Sequence, residues 1–414
     1  MHIEYTNGAP TADMLDHLPP LPLLLEYCIH AIIPEQDELW IHHGLRLHDR
    51  VRRIRLILPP SISIWHKVVV LMDKHFPILE HLSLSFGHAV KNSHPLTLPK
   101  AFLAPNLRDI ALPNISPPRR LRFLTSTVSL VTLELSDIQT SGYFRPRLLV
   151  ARLGSLPQLI QLSIEFSTPL PRPSTEREML GEQRAPVTLP SLNRLQFKGV
   201  GTYLESLLAQ IRAPLLGQLE ITLFNQIAFA LPHLSYLISI TEALQLPGAT
   251  AQFGHDGVLV SMAYDLGSGY VPCFSLRVLC KPLDWQIDCA SQIYHELMPT
   301  LSCVDKLSLY FDGMEIPIEF RNGAIDSATW HELLRSFIRV KRLYVDEPAL
   351  LEELSRALQV DEVGSDPGFL PNLRSIYASD NRFTSFIETR QVVGRPVQFI
   401  KWSSRAGEST AFNE

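Results

Sequence analysis

The chain has 414 residues, of which 46% are apolar and 19% are charged, and its formal net charge is -5. This composition is too apolar for an intrinsically disordered chain. The slightly acidic balance excludes a global basic field of the kind that holds nucleic acid or an anionic membrane. Because its five cysteines include no C-x-x-C pair, reduced thiols are favoured over a disulfide framework.

The amino-terminal segment lacks the marks of an export signal. It carries acids where a signal peptide carries bases, and no later stretch reaches about 18 uncharged apolar residues. We therefore expect a cytoplasmic or nuclear location and no membrane partner. Residues 1–18 are predicted to be a flexible lead-in, and residues 19–48 a helical amino-terminal cap whose first helix runs from Leu21 to Ile33.

A pattern of three apolar residues then recurs along the chain. The second residue lies three positions after the first and the third lies two positions after the second; we call this pattern the apolar figure. Val51, Ile54 and Leu56 form the first copy. Later copies start at Leu79, Leu107, Leu130, Leu159, Leu192 and Leu216, at successive spacings of 28, 28, 23, 29, 33 and 24 residues. A single unit of this length cannot bury its own apolar face, so each unit must stack on its neighbours.

These periods are in or slightly above the range of leucine-rich repeats. The predicted fold is an α/β leucine-rich-repeat solenoid over residues 49–400, with a curved parallel sheet on the concave side and helices on the convex side. Helical patterns cover residues 62–76, 145–155 and 202–212, and Thr202 begins a sequence with the form of a capping box. The proline-rich stretch between two later repeats is predicted to be an exposed loop.

The repeat figure weakens between residues 241 and 283. Asp256-Gly257 separates two β-rich runs and predicts a hairpin turn. We therefore expect an antiparallel excursion over residues 248–282. The repeats resume after it, and residues 401–414 are predicted to be a loose tail.

The candidate binding site consists of the residues between the strand leucines. Because side chains alternate across a strand, these residues point away from the core and onto the concave face. They are polar or aromatic, and they include the arginine and tyrosine that protein-binding surfaces favour. We therefore predict a protein target on the concave face and no nucleic-acid partner. The predicted protein-binding residues are Arg53, Arg55, His81, Asp109, Glu134, Gln161, Glu165, Arg194, Gln196, Lys198, Gln218, Glu220, Lys306, Tyr310, Arg342, Tyr344 and Tyr377.

No catalytic, metal-binding or cofactor-binding residues are predicted. Gly199-Val200-Gly201 follows a strand, but Leu204 occupies the position of the third glycine of a dinucleotide fingerprint. Cys280, Cys289 and His295 are a weak set of metal ligands at these spacings.

Two alternatives to a binding scaffold remain. One is a purely structural repeat protein with no ubiquitin-ligase link. The other is an enzyme with its site near residues 241–283, where the polar residues Asp265, Ser268 and Tyr270 are scattered.

Several stretches of the chain resemble fungal, basidiomycete-type proteins that combine an F-box with leucine-rich repeats. These stretches are PPLPLLLEY at 19–27, HDRVRRIRL at 48–56, FPILEHLSL at 76–84, TLPSLNRLQFKGV at 188–200, LDWQ at 283–286, HELLRSF at 331–337 and GRPVQFI at 394–400. The resemblance implies that the repeats select a protein for ubiquitination, as the substrate-recognition part of an F-box-type ligase component.

In that family an F-box ahead of the repeats docks on the adaptor of a cullin-RING ubiquitin ligase. The stretch at 19–27 resembles the segment that follows the F-box, so the F-box itself is expected to be missing here. An adaptor partner is implied only if an F-box is present. The alternative is that residues 18–25 open an F-box themselves.

Overall fold

A computed structural model describes residues 3–5, 21–28, 35–59, 61–86, 96–118, 121–169, 185–226, 228–245, 247–263, 272–312, 326–345, 347–359 and 369–402. The chain divides into two compact units, Met1–Leu216 and Gly217–Glu414. We call them unit 1 and unit 2. The predicted array over residues 49–400 spans both.

Unit 1 is built on a parallel sheet. Its strands are β1 (Ile3–Tyr5), β2 (Leu23–Cys28), β3 (Val51–Leu58), β4 (His81–Phe86), β5 (Asp109–Ala111), β6 (Thr132–Ile138), β7 (Gln161–Phe166), β8 (Val187–Thr188), β9 (Arg194–Gly199) and β10 (Ile211–Arg212). Parallel pairs join them in the order β1-β2-β3-β4-β5-β6-β7-β9. The short strands β8 and β10 form a separate parallel pair.

Helices connect many of these strands. The α-helices that the structure describes in unit 1 are α1 (Glu35–Arg46), α2 (Ile62–Met72), α3 (Pro146–Leu153) and α4 (Gly201–Leu208). Between β5 and β6 the connection contains the 3₁₀ helix Arg122–Thr125 instead. This is the shortest of the predicted repeats in unit 1, and a 3₁₀ helix spans more length per residue than an α-helix, so it suits a short connection.

The repeated apolar figure sets the strand register. Equivalent residues of successive repeats lie opposite one another: Ile54, Leu82, Ile110, Leu133, Leu162 and Leu195. Each of these side chains is at most 1% exposed. Polar side chains add bonds between repeats, since Asn106 Nδ2 donates to Pro77 O at 2.6 Å and Ser191 Oγ donates to Pro157 O at 2.9 Å. The α/β leucine-rich-repeat class is confirmed.

Unit 2 is also built from strands and helices. Its strands are β11 (Gln218–Phe224), β12 (Gly248–Gly254), β13 (Val258–Ala263), β14 (Phe274–Leu279), β15 (Lys306–Asp312), β16 (Arg342–Val345), β17 (Ser375–Ala378) and β18 (Gln398–Lys401). Its α-helices within the described residues are α5 (Pro232–Ile240), α6 (Leu283–Glu296), α7 (Ser327–Arg335), α8 (Pro348–Gln359) and α9 (Thr384–Val392).

The strand order in unit 2 does not follow the chain. It is β11-β14-β13-β12-β15-β16-β17-β18. Strand β13 is antiparallel to both of its neighbours, while β14 is parallel to β11 and β12 is parallel to β15. The turn between β12 and β13 contains Gly257, where a Cβ atom would lie 2.0 Å from the main-chain oxygen of Val278, so only glycine fits.

Helix α6 is fastened to this hairpin by buried polar groups. Gln286, which is 0% exposed, donates through Nε2 to Gly254 O at 2.8 Å and accepts from Gly254 N at 3.1 Å. Tyr294 donates its hydroxyl to Thr250 O at 2.7 Å. Because buried amides and hydroxyls are costly unless they are bonded, these contacts fix the position of α6 over the hairpin.

The amino-terminal segment differs from the prediction. The residues expected to begin a helix at Leu21 instead form strand β2, and the predicted lead-in contributes strand β1 beside it. Leu23 and Leu25 are buried and the residue between them is half-buried, so the two-residue period of a strand describes this leucine run. The described part of the alternative F-box opening, residues 21–25, therefore enters a strand. The second helix expected in this region is α1.

Two other boundaries were predicted wrongly. Helix α4 begins at Gly201, directly after Val200, so Thr202 lies inside the first turn and is not a capping residue. Val200, the one residue between strand β9 and this helix, holds the N-cap position and makes no side-chain capping bond. Strand β18 reaches Lys401, so the predicted tail starts with ordered residues; residues 403–414 lie outside the described ranges. Most of the predicted proline-rich loop, residues 170–184, also lies outside them.

None of the described helices combines the length and apolar character that a bilayer crossing requires.

Candidate protein-binding face

Within each unit, the seventeen predicted binding residues lie on one side of the strands. The residues next to them, such as Leu195 and Leu343, are buried, whereas sixteen of the seventeen are half-buried and Arg55 is exposed. Helices pack on the opposite side, where Tyr203 of α4 stacks on Phe197 with ring centroids 5.6 Å apart. We call the side that carries the predicted residues the open face of each unit.

The open face of unit 1 carries rows of side chains in register. The first row crosses six strands and consists of Arg53, His81, Asp109, Thr132, Gln161 and Arg194. The second row lies two residues further along and consists of Arg55, Ser83, Ala111, Glu134, Ser163 and Gln196. Beyond it, Glu165 lies opposite Lys198. Neighbouring strands are about 4.8 Å apart, so each row is a continuous line of mostly polar groups.

Two ion pairs join residues of the first row to side chains on a neighbouring strand. Arg53 Nη1 lies 3.3 Å from Glu26 Oε1 on β2, and His81 Nδ1 lies 2.7 Å from Asp109 Oδ2 on β5. Each of the four side chains is between 31% and 42% exposed. Exposed pairs of this kind contribute about 0–1 kcal/mol each, so a partner could replace them with its own groups at little cost to the fold.

The open face of unit 2 carries a stack of aromatic and cationic side chains. Tyr344 and Tyr377 lie opposite each other on β16 and β17, with ring centroids 4.2 Å apart and planes 7° from parallel. Nζ of Lys306 lies 4.6 Å from the centroid of the Tyr344 ring. Trp402 meets the same ring edge-on, with centroids 5.5 Å apart. We call these four residues the aromatic platform.

Arg342 flanks the platform, two residues before Tyr344 on β16. Its Nη2 donates to Asp305 Oδ1 at 2.9 Å, and this hydrogen bond is the main cause of the raised pKa of the Arg342 guanidinium. Burial opposes the shift, and the nearby tyrosines add to it. The side chain is 42% exposed. A guanidinium has five N–H donors, so this permanently charged group can also bond a partner.

A row of small hydroxyl side chains crosses the open face of unit 2 between Glu220 and the aromatic platform. Its members, from β14 through β13 and β12 to β15, are Ser275, Ser261, Thr250 and Ser308. Thr250 and Ser308 are only 2% and 4% exposed. The Ser308 Oγ has no hydrogen-bond partner among the described residues. Because these side chains are short, the row forms a low, polar floor beside the taller aromatic rings.

The structure brings together three of the predicted residues in the aromatic platform and leaves others apart from it. Gln218 lies on β11, beyond the hydroxyl row, and Tyr310 lies further along β15. Trp402 was missed because the tail was predicted to be loose. The sequence does contain an indication of Trp402: it follows Gln398 and Ile400 at every second position, so it lies on the same side of the strand direction. The hydroxyl row was missed because a hairpin turn alone does not give the register of β13 against both neighbours.

Other chemistry receives little support from the described residues. Among them, no group of three or more His, Cys, Asp or Glu side chains could hold a metal ion. Gly199 is explained by packing, because a Cβ there would lie 2.6 Å from the Phe197 ring. The hydrogen bond with Cys280, together with burial, raises the pKa of the Cys289 thiol, so it stays protonated and is a poor nucleophile. All three polar residues named for the alternative enzyme site lie outside the described ranges; they are Asp265, Ser268 and Tyr270.

No protein-family model matches the chain, and no curated protein matches it. Among solved structures, the chain is similar to the leucine-rich-repeat-containing protein LegL7 from Legionella pneumophila, with 11% sequence identity over 96% of this chain and 99% of that chain. The TM-score of that match is 0.26. A score this low carries no structural argument, and the leucine-rich-repeat class follows from the strand register and helices of the chain itself.

Proposed function

We propose that this chain is a non-enzymatic protein-interaction scaffold whose partner binds the open face of unit 2. The observation that carries the proposal is the aromatic platform, which joins two stacked tyrosines, a tryptophan and a lysine on the side of the sheet that the helices do not cover. The predicted residues of unit 1 offer a second polar surface for the same kind of contact.

Physical chemistry favours this use of the platform. Tyrosine, tryptophan and arginine dominate the residues that carry binding energy in protein interfaces. Side chains already held by stacking lose little conformational entropy when a partner binds. Lys306 and Arg342 give the surface a positive character, so the partner segment should combine apolar or aromatic groups with a carboxylate. Within the hydroxyl row, the half-buried Ser275 can donate to, and accept from, the main chain of that segment.

A finer proposal is that the chain selects substrates within an F-box-type ubiquitin ligase component. The support for it is the resemblance of seven stretches to fungal F-box and leucine-rich-repeat proteins. In that family the adaptor contact belongs to the F-box. A cullin-RING adaptor is therefore a partner only if an F-box is present, and a repeat protein without a ligase link is the rival.

The platform is tested with a double variant, Tyr344→Ser and Tyr377→Ser, in the full chain. Partners of the tagged wild-type chain are crosslinked, identified by mass spectrometry and then measured as purified proteins. Binding should weaken by at least about tenfold, because two aromatic contacts are lost. The matched control is Tyr236→Ser on α5, a tyrosine that is 64% exposed and lies away from the open face. A double variant that keeps every wild-type partner at full affinity would refute the placement.

The ligase link is tested separately by mixing the purified chain with adaptor and cullin on a sizing column. We expect no co-elution, because the stretch at 19–27 resembles the segment that follows the F-box. Stoichiometric co-elution would show that the amino-terminal residues bind the adaptor, and would leave the proposal about the platform unaffected.

A further inference from the structure

Unit 2 contains a cavity on its helix side, between the carboxyl end of β11 and the first turns of α6. Its volume is about 230 Å³, and its lining residues are Asn225, Gln226, Trp285, Asp288 and Cys289. A water molecule takes up about 30 Å³ and drug-sized ligands fill roughly 300–1,000 Å³. The cavity therefore suits one small chemical group, such as the end of a side chain, and is too small for a nucleotide cofactor.

The walls of the cavity are held in place by bonds between the loop after β11 and helix α6. Phe229 N donates to Gln292 Oε1 at 3.3 Å, and Leu231 N donates to Glu296 Oε2 at 3.1 Å. Gln292 also donates through Nε2 to Asp288 Oδ2 at 2.8 Å, which orients that carboxylate. The loop thus runs along the helix, and the cavity lies where the loop begins.

The lining combines an aromatic ring, a carboxylate and two carboxamides. Trp285 is 54% exposed, so part of its ring is open to a ligand. Asp288 supplies a negative charge, and Asp284 lies one turn earlier on the same helix. None of the lining residues is basic. The thiol of Cys289 is kept protonated, so it contributes no charge and no nucleophile.

We propose that this cavity binds the guanidinium group of an arginine side chain presented by a partner protein. A planar guanidinium can stack on the Trp285 ring and pair with both carboxylate oxygens of Asp288. Its remaining N–H groups can donate to the side-chain oxygens of Asn225 and Gln226. A phosphate or carboxylate would be repelled by the two aspartates. An ammonium carries charge but has no flat surface for the ring, so it fits less well.

The test uses the full chain, with its tryptophan indole groups labelled with ¹⁵N and the Trp285 signal assigned from a Trp285→Phe variant. The probe is N-acetyl-L-argininamide, and its neutral counterpart is N-acetyl-L-citrullinamide, which has nearly the same shape without the charge. The arginine probe should shift the Trp285 signal, and the citrulline probe should bind at least about tenfold more weakly, because a charge-assisted bond is lost. N-acetyl-L-lysinamide should also bind more weakly than the arginine probe.

Variants locate the site. Asp288→Asn should weaken binding of the arginine probe, read from the Trp285 signal, by about tenfold. The Asp288 side chain is exposed, so unfolding of this variant by urea should be nearly unchanged. Glu242→Gln removes the same charge from an exposed residue outside the lining, and it should bind like wild type.

Four results would overturn the proposal. Two are equal binding of the arginine and citrulline probes and equal binding of the arginine and lysine probes. The others are an Asp288→Asn variant with wild-type affinity, and no shift of the Trp285 signal up to about 50 mM arginine probe, a concentration well above the Kd of about 1 mM expected for so small a ligand. None of these outcomes bears on the aromatic platform, because no platform residue is changed.

Discussion

Two buried tyrosines, one in each unit, differ in a single hydrogen bond. Tyr203 and Tyr294 are both 0% exposed. The hydroxyl of Tyr294 donates to the main-chain oxygen of Thr250 at 2.7 Å, whereas the hydroxyl of Tyr203 has no hydrogen-bond partner within the described ranges. Replacing each with phenylalanine removes one oxygen and keeps the ring. The two substitutions therefore compare a satisfied buried hydroxyl with an unsatisfied one.

The expected changes in the free energy of unfolding have opposite signs. Tyr294→Phe removes a hydrogen bond with a net contribution of about 0.5–1.5 kcal/mol and leaves the Thr250 oxygen with one partner fewer, so the loss should be about 1–2 kcal/mol. Tyr203→Phe removes a buried polar group that was desolvated without compensation, so the variant should be unchanged or up to about 1 kcal/mol more stable.

Urea unfolding of the full chain measures both changes in the free energy of unfolding. Tyr236→Phe on α5 is the control, since that side chain is 64% exposed and the variant should stay within about 0.5 kcal/mol of wild type. A loss of stability in Tyr203→Phe as large as that in Tyr294→Phe would refute the reasoning, because the ring packing, and not the hydroxyl, would then decide the outcome.

Two further predictions concern the core and its pH dependence. Leu195→Ala should cost about 2–5 kcal/mol because the side chain is 0% exposed, whereas Leu215→Ala, at a side chain 62% exposed, should cost about 0.5 kcal/mol or less; similar urea midpoints would show that the register is wrong. Burial raises the pKa of Tyr203 and of Tyr294, so the folded chain keeps both protons where unfolded tyrosines ionise, near pH 10, and stability should fall as the pH rises above about 10. This fall should be smaller in the double phenylalanine variant, and an identical slope in both proteins would contradict the assignment.

Much of the fold could be predicted because the apolar figure repeats, and its equivalent residues give the register of neighbouring strands. A residue such as Leu195 has equivalents at the same place in every repeat, and aligning these residues aligns the strands. The alternation rule then assigns the open face without further information. The same rule explains the error at β2. Its leucine run, Leu23–Cys28, lacks polar residues at every second position, so its sequence does not distinguish a strand from a helix.

The two candidate sites could not be predicted in full, because each joins residues that only the strand order brings together. Trp402 reaches the Tyr344 ring from beyond β18, two strands away from it in the sheet. The cavity joins residues 225–226 to residues 285–289, which are about sixty positions apart in the sequence. Nothing in either segment alone indicates the other.

One departure from the regular repeat produces both features of unit 2. In a regular repeat the chain passes from one strand to its immediate neighbour. After β11 it passes instead to β12, three positions away, and the hairpin then returns it to β14, beside β11. This path leaves the start of the β11 connection next to the first turns of α6, where the cavity lies.

On the other side of the sheet, the same hairpin inserts two extra strands with small outward side chains, Ser261 and Thr250, between Glu220 and the platform. The hydroxyl floor and the cavity therefore share one cause, so a chain in which residues 248–263 were replaced by a single regular strand should lose the arginine-probe site and the floor beside the platform together. Retention of probe binding in a folded chain of that kind would mean that the hairpin does not position α6.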